Sequence, residues 1–374
     1  MNGQFDASAA RRWVVKVGSS LITNVESGIN LERIQSWAQQ IAELKSDGVE
    51  IVLVSSGSIV EGMKRLGWTE RPHEVHLLQV AAAVGQMGLV RNYEAEFDKY
   101  GYRTAQILLT NADLADRTRY LNVRNTLRSL LEMNVIPIVN ENDTVATDDI
   151  KFGDNDNLAG LVTNIVDADL LVILTDQQGL FQADPRNDPS ASLIERAWSD
   201  EEFLDQAVGP SSKYGRGGMT TKLEAARKAS RSGAATIIAS GLQADQLQKI
   251  HANTINGTLL QSRTGRIAAH KQWLAGRLRI AGKVHLDHGA VSALLDQGRS
   301  LLPVGVRHVE GKFKRGDLVV CVNTESKEIA RGLINYDSDE ANNIKGRRTG
   351  RIESILGYVR DHELIHRDNM VIML

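Results

Sequence analysis

The stretch WVVKVGSS, residues 13–20, reads as a short apolar strand that ends in glycine and serine. Similar apolar runs recur along the chain, separated by amphipathic segments such as LERIQSWAQQIAELKSDG (31–48) and TRYLNVRNTLRSLLEMN (118–134). The predicted strands are 13–17, 51–55, 105–109, 135–139, 170–174 and 235–240. Apolar strands that alternate with helices are typical of a parallel sheet buried on both faces. We therefore predict an α/β fold with three layers, a mostly parallel sheet between helices, and ligands at the carboxyl ends of its strands.

The composition is that of an ordinary soluble globular protein, with 374 residues, 42% hydrophobic and 24% charged. A formal net charge of −2 argues against a protein that mainly binds nucleic acid, which would usually be clearly basic. The first residues contain no apolar segment typical of a signal peptide, and no apolar run approaches the roughly 20 residues of a membrane span. The single cysteine, Cys321, cannot form an internal disulfide. We expect a cytoplasmic protein with no membrane partner.

The character of the sequence changes after about residue 262, where QSRTGRIAAHKQWLAG (261–276) reads as a polar connection. Short strands and glycine-bearing turns then alternate, which predicts a small, mostly-β, barrel-like domain. The predicted boundaries are 1–262 for the first domain, 263–276 for a linker and 277–374 for the second domain. From 277 onward, 16 Lys and Arg stand against 13 Asp and Glu, so this part carries +3.

Two strand ends carry residues suited to an anion. Lys16 lies within the first strand, where a buried lysine is unusual unless it meets an anion, and Gly18 follows the strand. The alternative is an edge-strand lysine that faces water, which burial statistics alone favour. The second strand ends in Ser55, Ser56 and Gly57, directly before a predicted helix. Both turns could present backbone N–H groups to a phosphate, although such turns are also common as plain connections.

Residues 140–161, NENDTVATDDIKFGDNDNLAGL, contain six acidic residues and one lysine. One interpretation is a solvated loop whose Asp or Asn caps a helix that starts near Leu158. The other is a site for an ammonium group, in which some carboxylates serve magnesium or orient lysines. An EF-hand is excluded because Leu158 stands where that loop needs an oxygen ligand.

The stretch YGRGGMTTKLEAARKAS, residues 214–230, resembles a phosphate-binding loop without matching the nucleotide P-loop, because Lys222 follows Thr221 and precedes Leu223. Its glycines let backbone N–H groups approach a ligand, and the helix that follows offers its positive end to an anion. Lys16 and Lys222 would converge on one phosphate-sized anion if the strand ends share a rim, and Asp156 could hold both. No histidine lies in these motifs, which suits an acceptor that is already ionised, such as a carboxylate or a phosphate.

In order and spacing, these motifs resemble the amino acid kinase superfamily. The segments VVKVGSSLIT, VSSGSIVEGMKRLG, LLQVAAAVGQMGLV, LTDQQGLFQADPR and GGMTTKLEAA carry the general resemblance, while NEND with GDNDNL is similar to the glutamate 5-kinase family within it. The resemblance implies ATP-dependent, magnesium-requiring phosphorylation of the γ-carboxylate of L-glutamate, the first step of proline biosynthesis. An acceptor such as aspartate or a nucleotide is the alternative within this class.

The resemblance also implies roles for particular residues. Lys16 and Lys222 would stabilise the transferred phosphoryl group, and Asp156 would organise the two lysines. Glutamate would be bound by Ser56, Gly57, Asp143 and Asn155, with Asp143 a partner for its ammonium group. The nucleotide would be bound by Lys16, Gly18, Thr175, Asp176, Arg216, Gly217, Gly218, Met219, Thr220, Thr221 and Lys222. Arg216 stands where the family usually has a small polar residue, and no protein ligand of the metal is predicted.

The resemblance implies partners as well. Members of the family are often inhibited by proline, at a site that the segment 140–157 would supply here, and we expect a homo-oligomer. The segment GKVHLDHGAVSALLDQGRSLLPVGV and the later ILGY resemble a PUA domain, a module that binds RNA in modification enzymes. A protein that acts on RNA through this domain is therefore the alternative from another class. It would need a second catalytic centre, for which the sequence has no motif, and a charge of +3 gives it little support.

Overall fold

A computed structural model of the chain describes residues 5–24, 28–145, 155–207, 218–263, 265 and 280–373. The chain divides into two compact units. The first comprises Met1–Ala115 and Asn122–Arg266, and the second comprises Asp116–Leu121 and Ile267–Leu374. The predicted linker 263–276 lies almost entirely outside the described residues.

An eight-stranded sheet forms the centre of the first unit. In spatial order its strands are β5 (Thr104–Leu109), β6 (Ile136–Glu141), β4 (Glu50–Val54), β1 (Arg12–Val17), β7 (Leu170–Thr175), β9 (Ala235–Ser240), β10 (Gly257–Gln261) and β8 (Arg196–Trp198). Every neighbouring pair is parallel except β9 with β10, which is antiparallel. A two-stranded antiparallel ribbon, β2 (Thr23–Asn24) with β3 (Gly28–Ile29), lies outside this sheet. The predicted mostly parallel sheet is confirmed.

Helices cover both faces of the sheet. Up to residue 251, the helices among the described residues are Ser19–Ile22, Leu31–Ser46, Ser58–Arg65, Val75–Asp98, Asn111–Ala115, Arg117–Glu132, Asn155–Ile165, Phe203–Ala207, Met219–Ser230 and Gln246–His251, with a 3-10 turn at Ala7–Ala9. On one face, alternate strand residues such as Trp13, Val15 and Val17 form a buried core with the helices Leu31–Ser46 and Val75–Asp98. On the other face, β1, β7 and β9 contact Asn155–Ile165 (the Asn155 helix) or Met219–Ser230 (the Lys222 helix). Burial on both faces explains why the strands read as continuous apolar runs.

One helix begins earlier than the sequence indicates. The Asn155 helix starts at Asn155, whereas the expected start was near Leu158. Asn155 and Asp156 therefore lie in the first helical turn, and the residue that precedes the helix lies outside the described residues. Their side chains form hydrogen bonds with Ser56 and Lys222 at the sheet rim.

The second unit is built on a mixed five-stranded sheet. Its strands, in spatial order, are β12 (Val306–Gly311), β11 (Ile280–Leu286), β13 (Leu318–Val322), β14 (Glu328–Leu333) and β15 (Met370–Ile372). The β11–β13 pair is parallel and the other pairs are antiparallel. From residue 280 onward, its helices are His288–Leu295, Ser338–Ile344 and Ile352–Leu356, with 3-10 turns at Pro303–Gly305, Thr349–Arg351 and Arg367–Asn369. The prediction of a second, mostly-β domain is confirmed.

Cys321 lies on β13 inside the core of this second unit and is fully buried. Burial raises the pKa of its thiol to about 12, and the nearby Glu328 carboxylate adds to the rise. The thiol is therefore protonated and unreactive in the folded protein at neutral pH. Within the described residues, no helix is both long and apolar enough to cross a membrane.

Candidate functional site

Lys16 occupies a central strand. It pairs with Val54 of β4 on one side and with Ile173 of β7 on the other, so the edge-strand interpretation is wrong. The side chain is buried, with only 5% of the residue exposed. Side chains alternate along a strand, so Lys16 lies on the face opposite the core residues Val15 and Val17. That face is covered by the Asn155 helix and the Lys222 helix.

Two lysines and one aspartate meet at this rim, a group that we call the lysine–aspartate cluster. Lys16 Nζ lies 2.5 Å from Asp156 Oδ1, and Lys222 Nζ lies 2.9 Å from Asp156 Oδ2. The Thr221 hydroxyl donates to Asp156 Oδ2 at 2.7 Å. Asp156 is fully buried and Lys222 is 5% exposed, so the three charges interact with little screening by solvent.

The lysines determine the charge state of Asp156. Burial alone would raise the pKa of its carboxyl group, but the adjacent ammonium groups of Lys16 and Lys222 outweigh burial and hold that pKa well below its usual range. Asp156 is therefore ionised at neutral pH. The three side chains together carry two positive charges and one negative charge, which favours an anion beside them.

The neighbouring strand end contributes further residues on the same face. Thr175 is in register with Ser240 of β9, two positions after Ile173, so it shares the face of Lys16. Its hydroxyl donates to Asp176 Oδ1 at 3.0 Å, and Asp176 is exposed. The Gly18 N–H, in contrast, donates to the Leu174 carbonyl at 3.1 Å. The Gly18 N–H is therefore used within the sheet.

The start of the Lys222 helix is the described part of the glycine-rich segment. Gly218 is the N-cap, the helix begins at Met219, and Thr220, Thr221 and Lys222 complete the first turn. Lys222 thus lies one turn inside the helix, as predicted. Arg216 and Gly217 lie outside the described residues.

A network of amide side chains lies next to the lysine–aspartate cluster, because Asn155 directly precedes Asp156. The Asn155 amide nitrogen contacts three acceptors: Ser56 Oγ at 2.9 Å, the Ser55 carbonyl at 3.0 Å and Asn140 Oδ1 at 2.9 Å. Its carbonyl oxygen, Oδ1, is buried and has no hydrogen-bond partner among the described residues. A buried acceptor of this kind is suited to a donor group on a ligand.

Two members of this network were not predicted. Asn140, at the carboxyl end of β6, donates to the side-chain oxygen of Gln86 at 2.8 Å, and both residues are buried. The position of Asn140 at a strand end was a usable signal. Gln86 lies within the long helix Val75–Asp98, and no pattern in the sequence distinguishes it.

Gly57 and Asp143 complete the predicted substrate residues. Gly57 has a φ of +103° and is the N-cap of the helix Ser58–Arg65. A β-carbon there would be strained by that backbone and would lie 2.8 Å from the Thr23 methyl group, so only glycine suits this position. Asp143 follows β6, and its Oδ2 accepts a hydrogen bond from the Ser58 hydroxyl at 3.0 Å.

Within the described part of the chain, no cluster of three or more His, Cys, Asp or Glu is placed to hold a metal ion. The acidic segment 146–154 lies outside that part.

Comparisons with known proteins show the family to which the chain belongs. The model of the amino acid kinase family matches residues 11–249, and that of the PUA domain matches residues 282–356. The chain is 58% identical to glutamate 5-kinase of Chromobacterium violaceum and 55% identical to that of Cupriavidus pinatubonensis. Each match covers 97% of this chain and 98% of the relative. Among solved structures, carbamate kinase from Giardia lamblia bound to AMP-PNP is 18% identical with a TM-score of 0.49, covering 68% of this chain and 99% of that one.

Proposed function

Since this chain belongs to the amino acid kinase family, we propose that it transfers the γ-phosphoryl group of ATP to the γ-carboxylate of L-glutamate, the first step of proline biosynthesis. The observation that carries the proposal is the lysine–aspartate cluster, which holds two ammonium groups around one ionised carboxylate at the carboxyl edge of the sheet. Ligands of open α/β sheets bind at that edge.

The chemistry follows from these charges. A γ-carboxylate oxygen of glutamate attacks the γ-phosphorus of ATP, the bond from that phosphorus to the bridging oxygen breaks, and ADP leaves with the electron pair. Negative charge on the transferred group and on the leaving oxygen is stabilised by Lys16 and Lys222. Asp156 pairs with both ammonium groups and fixes their positions. Without it, the mutual repulsion of the two groups would drive them apart.

The acceptor needs no general base, because a carboxylate with an ordinary pKa near 4 is ionised at pH 7. This agrees with the absence of histidine from the sequence motifs. Magnesium would bind mainly through the nucleotide phosphates and would neutralise part of their charge. We assign it no protein ligand.

Substrate roles are part of the proposal. Ser56, Gly57 and Asn155 would bind glutamate, with Asp143 facing its ammonium group. Lys16, Gly18, Thr175, Asp176 and the segment 216–222 would bind ATP, with Gly18 contributing space for a phosphate since its N–H is used in the sheet. We further propose a kinase domain over 1–262, a linker over 263–276 and a PUA domain over 277–374. Cytoplasmic location, assembly as a homo-oligomer and inhibition by proline complete the proposal.

The test is to incubate the protein with ATP, magnesium and candidate acceptors in hydroxylamine, which traps acyl phosphates as hydroxamates. We expect glutamate-dependent hydroxamate, and a fall in kcat of at least about 100-fold in Lys222→Ala. Lys99→Ala is the control, because Lys99 is 54% exposed and pairs with Glu96 on the surface. Hydroxamate from aspartate, or ADP release that depends on a nucleotide acceptor, with no hydroxamate from glutamate, would refute the assignment.

The match to the PUA domain supports RNA binding as a second candidate function. It predicts that a structured RNA binds with an affinity that falls steeply with salt concentration. RNA binding that is absent at low salt would exclude this candidate and leave the kinase proposal unchanged.

A further inference from the structure

Ser58 lies outside the residues that the sequence indicates for the site, although it joins two parts of the site. It is the first residue of the helix that follows Gly57, and only 3% of it is exposed. Its hydroxyl donates to Asp143 Oδ2 at 3.0 Å across 85 positions of sequence. The bond thus connects the turn after β4 with the turn after β6.

The position of this hydroxyl is well determined by its surroundings. Gly57 sets the entry into the helix through its left-handed backbone. On the other side, the Ser58 carbonyl lies so near Gly85 that a β-carbon at residue 85 would be 1.8 Å from it. The backbone of Ser58 is therefore confined between a constrained turn and a neighbouring helix. This confinement fixes the position from which the side chain, with its hydroxyl, projects.

Such a bond has consequences for the carboxylate that receives it. A hydrogen bond from a neutral hydroxyl to a carboxylate is charge-assisted and orients the group. An oriented carboxylate binds a cation more tightly, because less rotational freedom is lost when the cation arrives. Removing a buried donor of this kind leaves the carboxylate less well held.

We propose that Ser58 is a positioning residue that orients Asp143 toward the ammonium group of the amino acid substrate. This inference rests on the proposed function, in which Asp143 takes that ammonium group. Ser58 acts on substrate binding and takes no part in the transfer of the phosphoryl group, since its hydroxyl bonds to Asp143 while the lysine–aspartate cluster is formed by other elements.

The test compares Ser58→Ala with wild type in the full-length protein, using hydroxamate formation. We expect the KM for L-glutamate to rise roughly 10-fold, with kcat and the KM for ATP changed less than twofold. Ser58→Cys, which keeps a weak donor of similar size, is expected to give an intermediate KM. Ser46→Ala is the matched control, because the Ser46 hydroxyl is exposed and donates only to the Glu43 carbonyl.

A double-mutant cycle separates positioning from a general structural role. Asp143→Asn alone should raise the KM for glutamate, and adding Ser58→Ala should raise it no further, since Ser58 acts through that carboxylate. Additive effects, or an unchanged KM in Ser58→Ala and Ser58→Cys, would overturn the inference while wild-type activity still upholds the proposed function. If the wild-type protein forms no glutamate hydroxamate, both the role of Ser58 and the proposed function are refuted.

Discussion

At the scale of single residues, the charge on Asp156 determines whether the lysine–aspartate cluster can exist. Two ammonium groups within 3 Å of its oxygens would repel each other strongly without it. The pKa of Asp156 is lowered in the folded state relative to an exposed aspartate, despite burial that acts in the opposite direction. A lowered carboxyl pKa means that ionised Asp156 stabilises the fold above the ordinary pKa of about 4, and that this contribution is lost as the pH falls below it.

We therefore expect Asp156→Asn to reduce the free energy of unfolding by about 3–5 kcal/mol at pH 7, because it leaves two lysines buried without the carboxylate. The difference from wild type should shrink as the pH is lowered below about 4. Urea unfolding of both proteins at a series of pH values measures this. Asp47→Asn is the control, since Asp47 has a side chain that is 61% exposed. A difference that does not vary with pH would contradict the explanation.

At the scale of elements, the helices Ser58–Arg65 and Val75–Asp98 are in close contact beside the residues proposed to bind glutamate. The two helices approach so closely that glycine is required on both: a β-carbon on Gly62 would lie 1.7 Å from the Ala81 carbonyl oxygen. A β-carbon on Gly85 would lie 2.3 Å from the Gly62 nitrogen. The same pair of helices carries Ser58 and Gln86, so their spacing and the positions of the site residues are linked.

Gly85→Ala is accordingly expected to force the helices apart and to destabilise the protein by about 1–3 kcal/mol. The KM for glutamate should rise more than the KM for ATP, because the displaced helix begins at Ser58 on the substrate side. Unfolding by urea and steady-state kinetics test the two effects. Gly350→Ala makes the same change where nothing lies within 4 Å, and it should leave both quantities nearly unchanged. Equal stability of Gly85→Ala and wild type would show that the two helices leave room for a β-carbon at residue 85.

The sequence predicted the elements that follow a regular pattern and missed those that depend on neighbours. Strands such as Leu170–Thr175 lie within two residues of their predicted bounds, because a strand buried on both faces must be apolar throughout. β8 and β10 were missed, since β8 has only three residues and both strands are identified by their pairing within the sheet. Lys16, Asp156 and Lys222 carry recognisable residue types at strand or helix ends. Ser58 and Gln86 gave no such signal, because their importance comes from a partner distant in sequence.

At the scale of the whole molecule, each of the two units has a large hydrophobic core among its described residues. One contains residues from Ala7 to Leu259, and the other contains residues from Val284 to Met370. The residues proposed to bind glutamate and ATP belong to the first unit. Each core is a candidate for its own cooperative unfolding transition.

Scanning calorimetry of the full-length chain should therefore show two transitions. A non-hydrolysable ATP analogue with magnesium should raise the melting temperature of only one transition. At a hundred times its Kd, the analogue should stabilise the unit that binds it by about 2.7 kcal/mol. Lys222→Ala should abolish that shift and leave the other transition where it is. A single transition that moves as a whole on adding the analogue would contradict independent unfolding.

The burial of Cys321 makes the rate of its chemical labelling a measure of how often the second unit opens. It is the only cysteine of the chain, and its thiol is enclosed in the core of the second unit with a pKa raised to about 12. A thiol reagent can reach it only while that unit is open, so the rate of labelling counts opening events. Because the first unit carries no thiol at all, the count is specific to the second unit and can be read while the enzyme is turning over.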